Sequence, residues 1–178
     1  IVCVRGKFPG VHNELLTYTT RITALAGQKF VKVQLWLENN GAMGYFRGND
    51  ESPASKNVEW FKFDGMAVEL GLDLGGGVAA RCEDAEATGA LKVLQRCLQN
   101  KAGRKQYRGP IFTIEDMEYT IASKDKTLKT GDRTDGVVWL KGQAGTLTAA
   151  IRGFWQNYEK AIELDGSTLK LWLWPTEG

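Results

Sequence analysis

The sequence predicts an all-β fold, an antiparallel β-sandwich with long loops and one short helix. Three observations carry this. Short stretches of alternating apolar and polar residues recur along the chain, as in strands with one buried face. Gly, Asn and Asp cluster between these stretches, and Asp165-Gly166 separates two of them as a hairpin turn does. Nowhere do strand and helix patterns alternate as a parallel α/β sheet requires. The chain has 178 residues, enough for one substantial domain, and a single sandwich over 1–178 is expected.

The first strand signal is Glu14 to Thr23, rich in Thr, Leu and Tyr. Ala26-Gly27-Gln28 supplies a turn into Phe30 to Glu38, where Val31, Val33, Leu35 and Leu37 alternate with Lys32, Gln34, Trp36 and Glu38. The chain from Asn39 to Lys56 is polar and reads as a loop. Val58 to Asp64 and Ala67 to Leu72 read as a strand pair turned at Asp64-Gly65, and Gly75-Gly76-Gly77 breaks the pattern. Leu91, Leu94 and Leu98 then fall at helical spacing, so the short helix is placed within Asp84 to Gln99, weakened by Gly89. Lys101 to Arg108 is a basic loop, Ile111 to Ser123 a strand, and Lys124 to Asp135 a polar connection. Gly136 to Leu140 and Thr146 to Arg152 pair across Lys141-Gly142-Gln143, and a last hairpin joins Ile162-Glu163-Leu164 to the strand Thr168 to Trp174.

Composition excludes several function classes. The net charge of +2 comes from scattered Lys and Arg, so nucleic acid is not an expected partner. No apolar run approaches the ~20 residues of a membrane span, and no membrane partner is expected. The chain opens on Ile1 without a signal-peptide pattern, which reads as a processed form or a piece excised from a longer multidomain protein. Of the three cysteines, Cys82 and Cys97 flank a loop-helix segment and can close a bridge; the other reading is three reduced thiols packed as small hydrophobes. His12 is the only histidine and no Cys-x-x-Cys pair occurs, so no metal site is expected, with a calcium requirement left open.

Hydrolytic signatures are sparse. No Gly-x-Ser-x-Gly elbow accompanies His12, which argues against a serine triad. Gly75-Gly76-Gly77 lacks the Gly-Lys-Ser/Thr of a phosphate loop. Paired carboxylates for glycoside hydrolysis stay open, because sequence spacing says little about distance in a sandwich. Glu83, Asp84 and Glu86 read most simply as a solvated helix start.

Tryptophans break the polar phase of the strands. Leu169, Leu171 and Leu173 share one face, which puts Trp172 and Trp174 on the other with Lys170. Trp36 shares its face with Lys32, Gln34 and Glu38, and Trp139 is out of phase with Val138 and Leu140. Indole on a wet face needs a reason: either another layer or domain covers it, or a pyranose packs its C–H face on the ring.

Two short segments gather the remaining chemistry. In Gly131-Asp132-Arg133-Thr134-Asp135-Gly136, Arg133 can pair with a uronate carboxylate, or the segment is a turn with a local ion pair. In Arg152 to Tyr158, the residues Arg152, Trp155, Gln156, Asn157 and Tyr158 combine cationic, aromatic and amide groups in one connection. Tyr158 is a weak candidate for proton transfer if Lys160 or Arg152 lowers its pKa. The bland alternative makes Phe154 and Trp155 a packing corner and the amides backbone caps.

Arg152-Gly153-Phe154-Trp155-Gln156-Asn157-Tyr158, with Lys160-Ala161 and the closing Leu171-Trp172-Leu173-Trp174-Pro175, resembles the exo-type rhamnogalacturonan lyases and their relatives. There an Arg-x-Phe-Trp-Gln segment and a Tyr-Pro-Lys lead into a hairpin closing with Leu-x-Pro; this chain carries Glu159 where that pattern has proline. The segments Gly131 to Leu140, Thr23 to Gly27 and Val31 to Val33 are also similar to strands of that family. The resemblance implies a modular protein with a barrel-like N-terminal domain, a supersandwich-like central β-sandwich and a helical toroid, of which this chain looks like the sandwich. It implies β-elimination at a uronic acid, secretion or a cell-surface location, and a pectin-like polysaccharide or oligosaccharide as partner.

The expected function is therefore a carbohydrate-active module of a lyase-like protein, either binding acidic plant polysaccharide or packing against neighbouring domains. A catalytic lyase and a purely structural interdomain module are the alternatives. Candidate sugar contacts are Arg133, Arg152, Trp155, Gln156, Asn157, Tyr158, Trp172 and Trp174.

Overall fold

The computed structural model describes residues 1–7, 16–39, 65–97, 117–156 and 159–175. The chain divides into two compact units, Ile1–Lys62 and Phe63–Gly178. Among the described residues every regular element is a strand, and every strand pairing is antiparallel.

The first unit holds a sheet of β1 (Val2–Lys7), β2 (Leu16–Ala24) and β3 (Val31–Asn39), with β2 in the middle. The expected turn between β2 and β3 is present: Gly27 takes a positive φ, and the Gln28 N–H donates to the Leu25 carbonyl at 3.1 Å. Register aligns Val2, Ile22 and Val33 in one row, so the apolar phase shares a face. On the other face Arg21 lies 5.3 Å from the centroid of the Trp36 ring.

The second unit is the sandwich. Its strands are β4 (Met66–Gly71), β5 (Ala79–Cys82), β6 (Ala85–Thr88), β7 (Ala90–Cys97), β8 (Met117–Ser123), β9 (Lys126–Gly131), β10 (Val137–Lys141), β11 (Thr146–Ala150), β12 (Lys160–Asp165) and β13 (Thr168–Trp174). One sheet has the order β11-β10-β5-β6, the other β4-β13-β12-β7-β8-β9. Their inner faces share one core. Ala80, Cys82, Val138 and Leu140 come from the first sheet; Val93, Ile121, Ile162, Leu164 and Leu169 come from the second. The β12–β13 hairpin turns at Asp165-Gly166 as expected, with Gly166 supplying the positive φ.

The short helix is not there. Asp84 belongs to a turn, and the following residues form β6 and β7, with β7 hydrogen-bonded between β12 and β8. Leu91 and Leu94 suit a helix by spacing, but Leu91, Val93 and Gln95 also alternate, and all three are buried. Two partner strands decide in favour of the period of two. Within the polar stretch after Ser123, β9 pairs with β8 across a Lys124-Asp125 turn. Among the described residues β9 is an edge strand, a place where lysines discourage further pairing. The expected loop 40–56, the strand Val58 to Asp64 and the basic loop 101–108 lie outside the described residues. Cys82 is a free, buried thiol, so the possible Cys82–Cys97 bridge is not formed.

Candidate functional site: the Arg133–Trp155 corner

The two segments that gather polar chemistry in the sequence meet in the fold. Arg133, on the connection from β9 to β10, places its guanidinium carbon 5.0 Å from the centroid of the Trp155 ring. Trp155 sits half-buried in the turn that follows β11, between the exposed Gln156 and the buried Phe154. Arg152, on the same turn, is exposed. Among the described residues the Arg133 guanidinium makes no ion pair, so the local ion pair that is the alternative reading of its turn does not form. Asn157 and Tyr158 lie outside the described residues.

The corner is held from below. Gln95 is 2 % exposed and clamps the backbone on both sides of Arg133. Its Nε2 donates to the Asp132 carbonyl at 3.1 Å and to the Glu118 carbonyl at 3.2 Å, while its Oε1 accepts from the Thr134 N–H at 3.1 Å. The Thr134 hydroxyl accepts in turn from the Gly136 N–H at 3.3 Å. Gly136 has a positive φ and lies against the ring of Phe154, too close for a β-carbon. Phe154, 1 % exposed, thereby ties the turn that carries Trp155 to the loop that carries Arg133.

Behind this loop lies a second polar cluster. The Tyr119 hydroxyl donates to Glu83 Oε2 at 2.9 Å, and Lys129 Nζ pairs with Glu83 at 2.9 Å and with Asp84. Burial opposes ionisation of Glu83, but hydrogen bonds from Lys129, Tyr119 and Thr134 outweigh it, so its pKa lies below the ordinary value. The hydrogen bond from Lys129 holds the pKa of Asp84 down, and those to Asp84 and Glu83 hold that of Lys129 up. Desolvation, with the bond to Glu83, raises the Tyr119 pKa. Burial pushes the Cys82 thiol up to about 11, although Thr134 Oγ1 lies 4.0 Å from its sulfur. Glu83 and Asp84 thus belong to an ion-pair network between strands rather than to a solvated helix start. Lys160 is also buried, next to Gln95 in register, and burial lowers its pKa.

Trp172 and Trp174 belong to β13, in the six-stranded sheet. The Leu phase there is as expected, with Leu169 in the core and Leu171 and Leu173 packed against it. Trp172 is half-buried and its Nε1–H donates to Glu163 Oε2 at 3.0 Å. Nearby Glu69, Glu163, Asp165, Thr168 and Lys170 line a shallow groove of ≈ 150 Å³. Its charge is mainly negative, which disfavours an anionic ligand there. Trp174 is 42 % exposed at the strand end.

Gln95 is the residue that sequence reasoning missed. In a helical reading a Gln between leucines is an ordinary surface residue. In a strand reading it occupies the buried phase with Leu91 and Val93, and a polar group in that phase needs hydrogen-bond partners. Among the described residues no group of three or more His, Cys, Asp or Glu side chains is placed to hold a metal ion. No family model, curated protein or solved structure matches the chain.

Proposed function

We propose that this chain is a carbohydrate-active β-sandwich module of a pectin or rhamnogalacturonan lyase-like protein, which holds acidic polysaccharide at the Arg133–Trp155 corner. The observation that carries the reading is the guanidinium 5.0 Å from the indole centroid, on a backbone clamped by Gln95 and by the Gly136–Phe154 contact. A pyranose packs its C–H face on an aromatic ring, and a guanidinium grips a carboxylate through two parallel hydrogen bonds. A cation beside an indole gains only ~0.5–1 kcal/mol at an exposed site, so the pairing orients Arg133 more than it satisfies it. A buried scaffold beneath the exposed Arg133 and the half-buried Trp155 keeps the ordering cost of binding low. The substrate class comes from the resemblance of Arg152 to Pro175 to the rhamnogalacturonan lyases.

The test is a titration of the purified chain with oligogalacturonides and with neutral oligosaccharides of equal length. Acidic oligomers bind, and Trp155→Ala weakens them about tenfold or more, the loss of one stacking contact of ~1.4 kcal/mol. Unchanged affinity in Trp155→Ala would sink the site. Incubation with rhamnogalacturonan separates binding from catalysis: ultraviolet absorbance from unsaturated uronate products would assign lyase activity to the chain itself.

A further inference from the structure

A second aromatic feature lies on the outer face of the four-stranded sheet. β10 is an interior strand there, between β11 and β5. Its inward residues Val138 and Leu140 are in the core, while Trp139 points outward and is 42 % exposed. Register sets Trp139 in a straight row across the sheet: Thr148 on β11, Trp139, Arg81 on β5 and Glu86 on β6. The Arg81 guanidinium carbon lies 5.4 Å from the centroid of the indole. In the adjoining row Lys141 stands opposite Thr146. All of these side chains are exposed.

We infer that this row is a glycan-binding platform, on which one sugar ring stacks on Trp139 while Thr148, Arg81 and Glu86 engage its hydroxyls or carboxylate. Two arguments select this occupant. The first is size. A protein partner needs a contiguous interface of about 1,600 Å² with an apolar centre, and here a single indole is ringed by threonines and charges. A sugar ring has the matching proportions, one apolar face within a polar rim. The second is geometry. Strands spaced 4.7–4.9 Å apart make the four-residue row roughly 14 Å long on an open sheet face, suited to an extended chain rather than to a pocket-filling molecule. Arg81 and Lys141 outweigh Glu86, which favours an anionic glycan. The inference rests on the carbohydrate reading above but uses none of its residues.

Affinity electrophoresis through gels containing polygalacturonate tests it, with wild type, Trp139→Ala, Trp139→Tyr and the double variant Arg133→Gln/Trp155→Ala. Trp139 is exposed, so its variants are expected to keep the wild-type circular dichroism and urea midpoint. The expected result is an affinity at least fivefold weaker in Trp139→Ala, largely restored in Trp139→Tyr, with measurable retardation left in the double variant. Retardation unchanged by Trp139→Ala and abolished in the double variant overturns the platform and leaves the Arg133–Trp155 site standing. Loss in Trp139→Ala with no effect of the double variant does the reverse. Absence of retardation in wild type, with polygalacturonate and neutral galactan alike, overturns both.

Discussion

Gly136 rests against the ring of Phe154 with no room for a β-carbon between them. The contact joins the loop before β10 to the turn after β11, and so sets where Arg133 stands relative to Trp155. Its backbone also has a φ of 61°, which non-glycine residues adopt at a cost. Gly136→Ala is therefore expected to destabilise the second unit by about 2–4 kcal/mol, from the strained φ and from overpacking together. Urea unfolding measures this. Phe154→Leu in the same background gives the methyl group space, so part of the lost stability returns; a double variant no better than additive would show that the clash is not the cause.

Gln95 gives a more selective test, because its two ends have opposite chemistry. The amide nitrogen faces the carbonyls of Glu118 and Asp132, and the oxygen faces the Thr134 N–H. Gln95→Glu keeps the shape and the acceptor but turns a buried carboxylate toward two carbonyl oxygens. A loss of about 3 kcal/mol is expected at neutral pH, the range for breaking hydrogen bonds to buried groups. Burial and the facing carbonyls disfavour the charged form of that new carboxyl, against the opposing pull of the neighbouring Lys160, and protonation on acidification turns it into a donor. The stability gap to wild type then narrows between pH 7 and pH 5. A gap independent of pH would mean that packing, not the amide donor, is what Gln95 contributes.

These two residues also show what was legible in the sequence and what was not. The β12–β13 hairpin could be read directly, since Asp165-Gly166 and the Leu phase of β13 are local signals that agree. β7 departs from the helical expectation because leucines three residues apart satisfy a helical template while Leu91, Val93 and Gln95 satisfy a strand template. Only the neighbours β8 and β12, distant in sequence, settle between them. β5 and β6 left little trace, being four residues each and built largely of alanine and charged side chains. Arg133 and Trp155 could each be singled out by type, but their contact depends on the Gly136–Phe154 packing, and no pattern in the sequence encodes that proximity.

The Glu83–Asp84–Lys129 network is expected to make the second unit less stable in acid. Both carboxyls titrate lower in the folded chain than their ordinary values of 4.5 and 3.8. Their stabilising contribution is therefore present above those values and is lost as pH falls through the lowered folded values. Lys129→Met removes the cation that both carboxyls share. In that variant the fall of the melting temperature on acidification from pH 5 to pH 2.5 is expected to be shallower than in wild type, and the two curves converge at the acid end. Parallel curves would show that Lys129 does not couple to either carboxyl.

If Arg133 recognises a uronate carboxylate, then removing the guanidinium and removing the carboxylate charge are the same deletion made from two sides. Arg133→Gln is expected to weaken binding of de-esterified oligogalacturonide by about 1.5–3 kcal/mol, the range for a charge-assisted hydrogen bond, and methyl esterification weakens binding to wild type similarly. Combined, the two changes cost little more than either alone, because only one interaction exists to lose. Arg133→Lys keeps the charge but not the planar fork, so it recovers part of the affinity and leaves it more sensitive to salt. Isothermal titration of the four protein–ligand combinations gives the coupling energy directly. Additive losses would place the carboxylate elsewhere on the surface and detach Arg133 from sugar recognition.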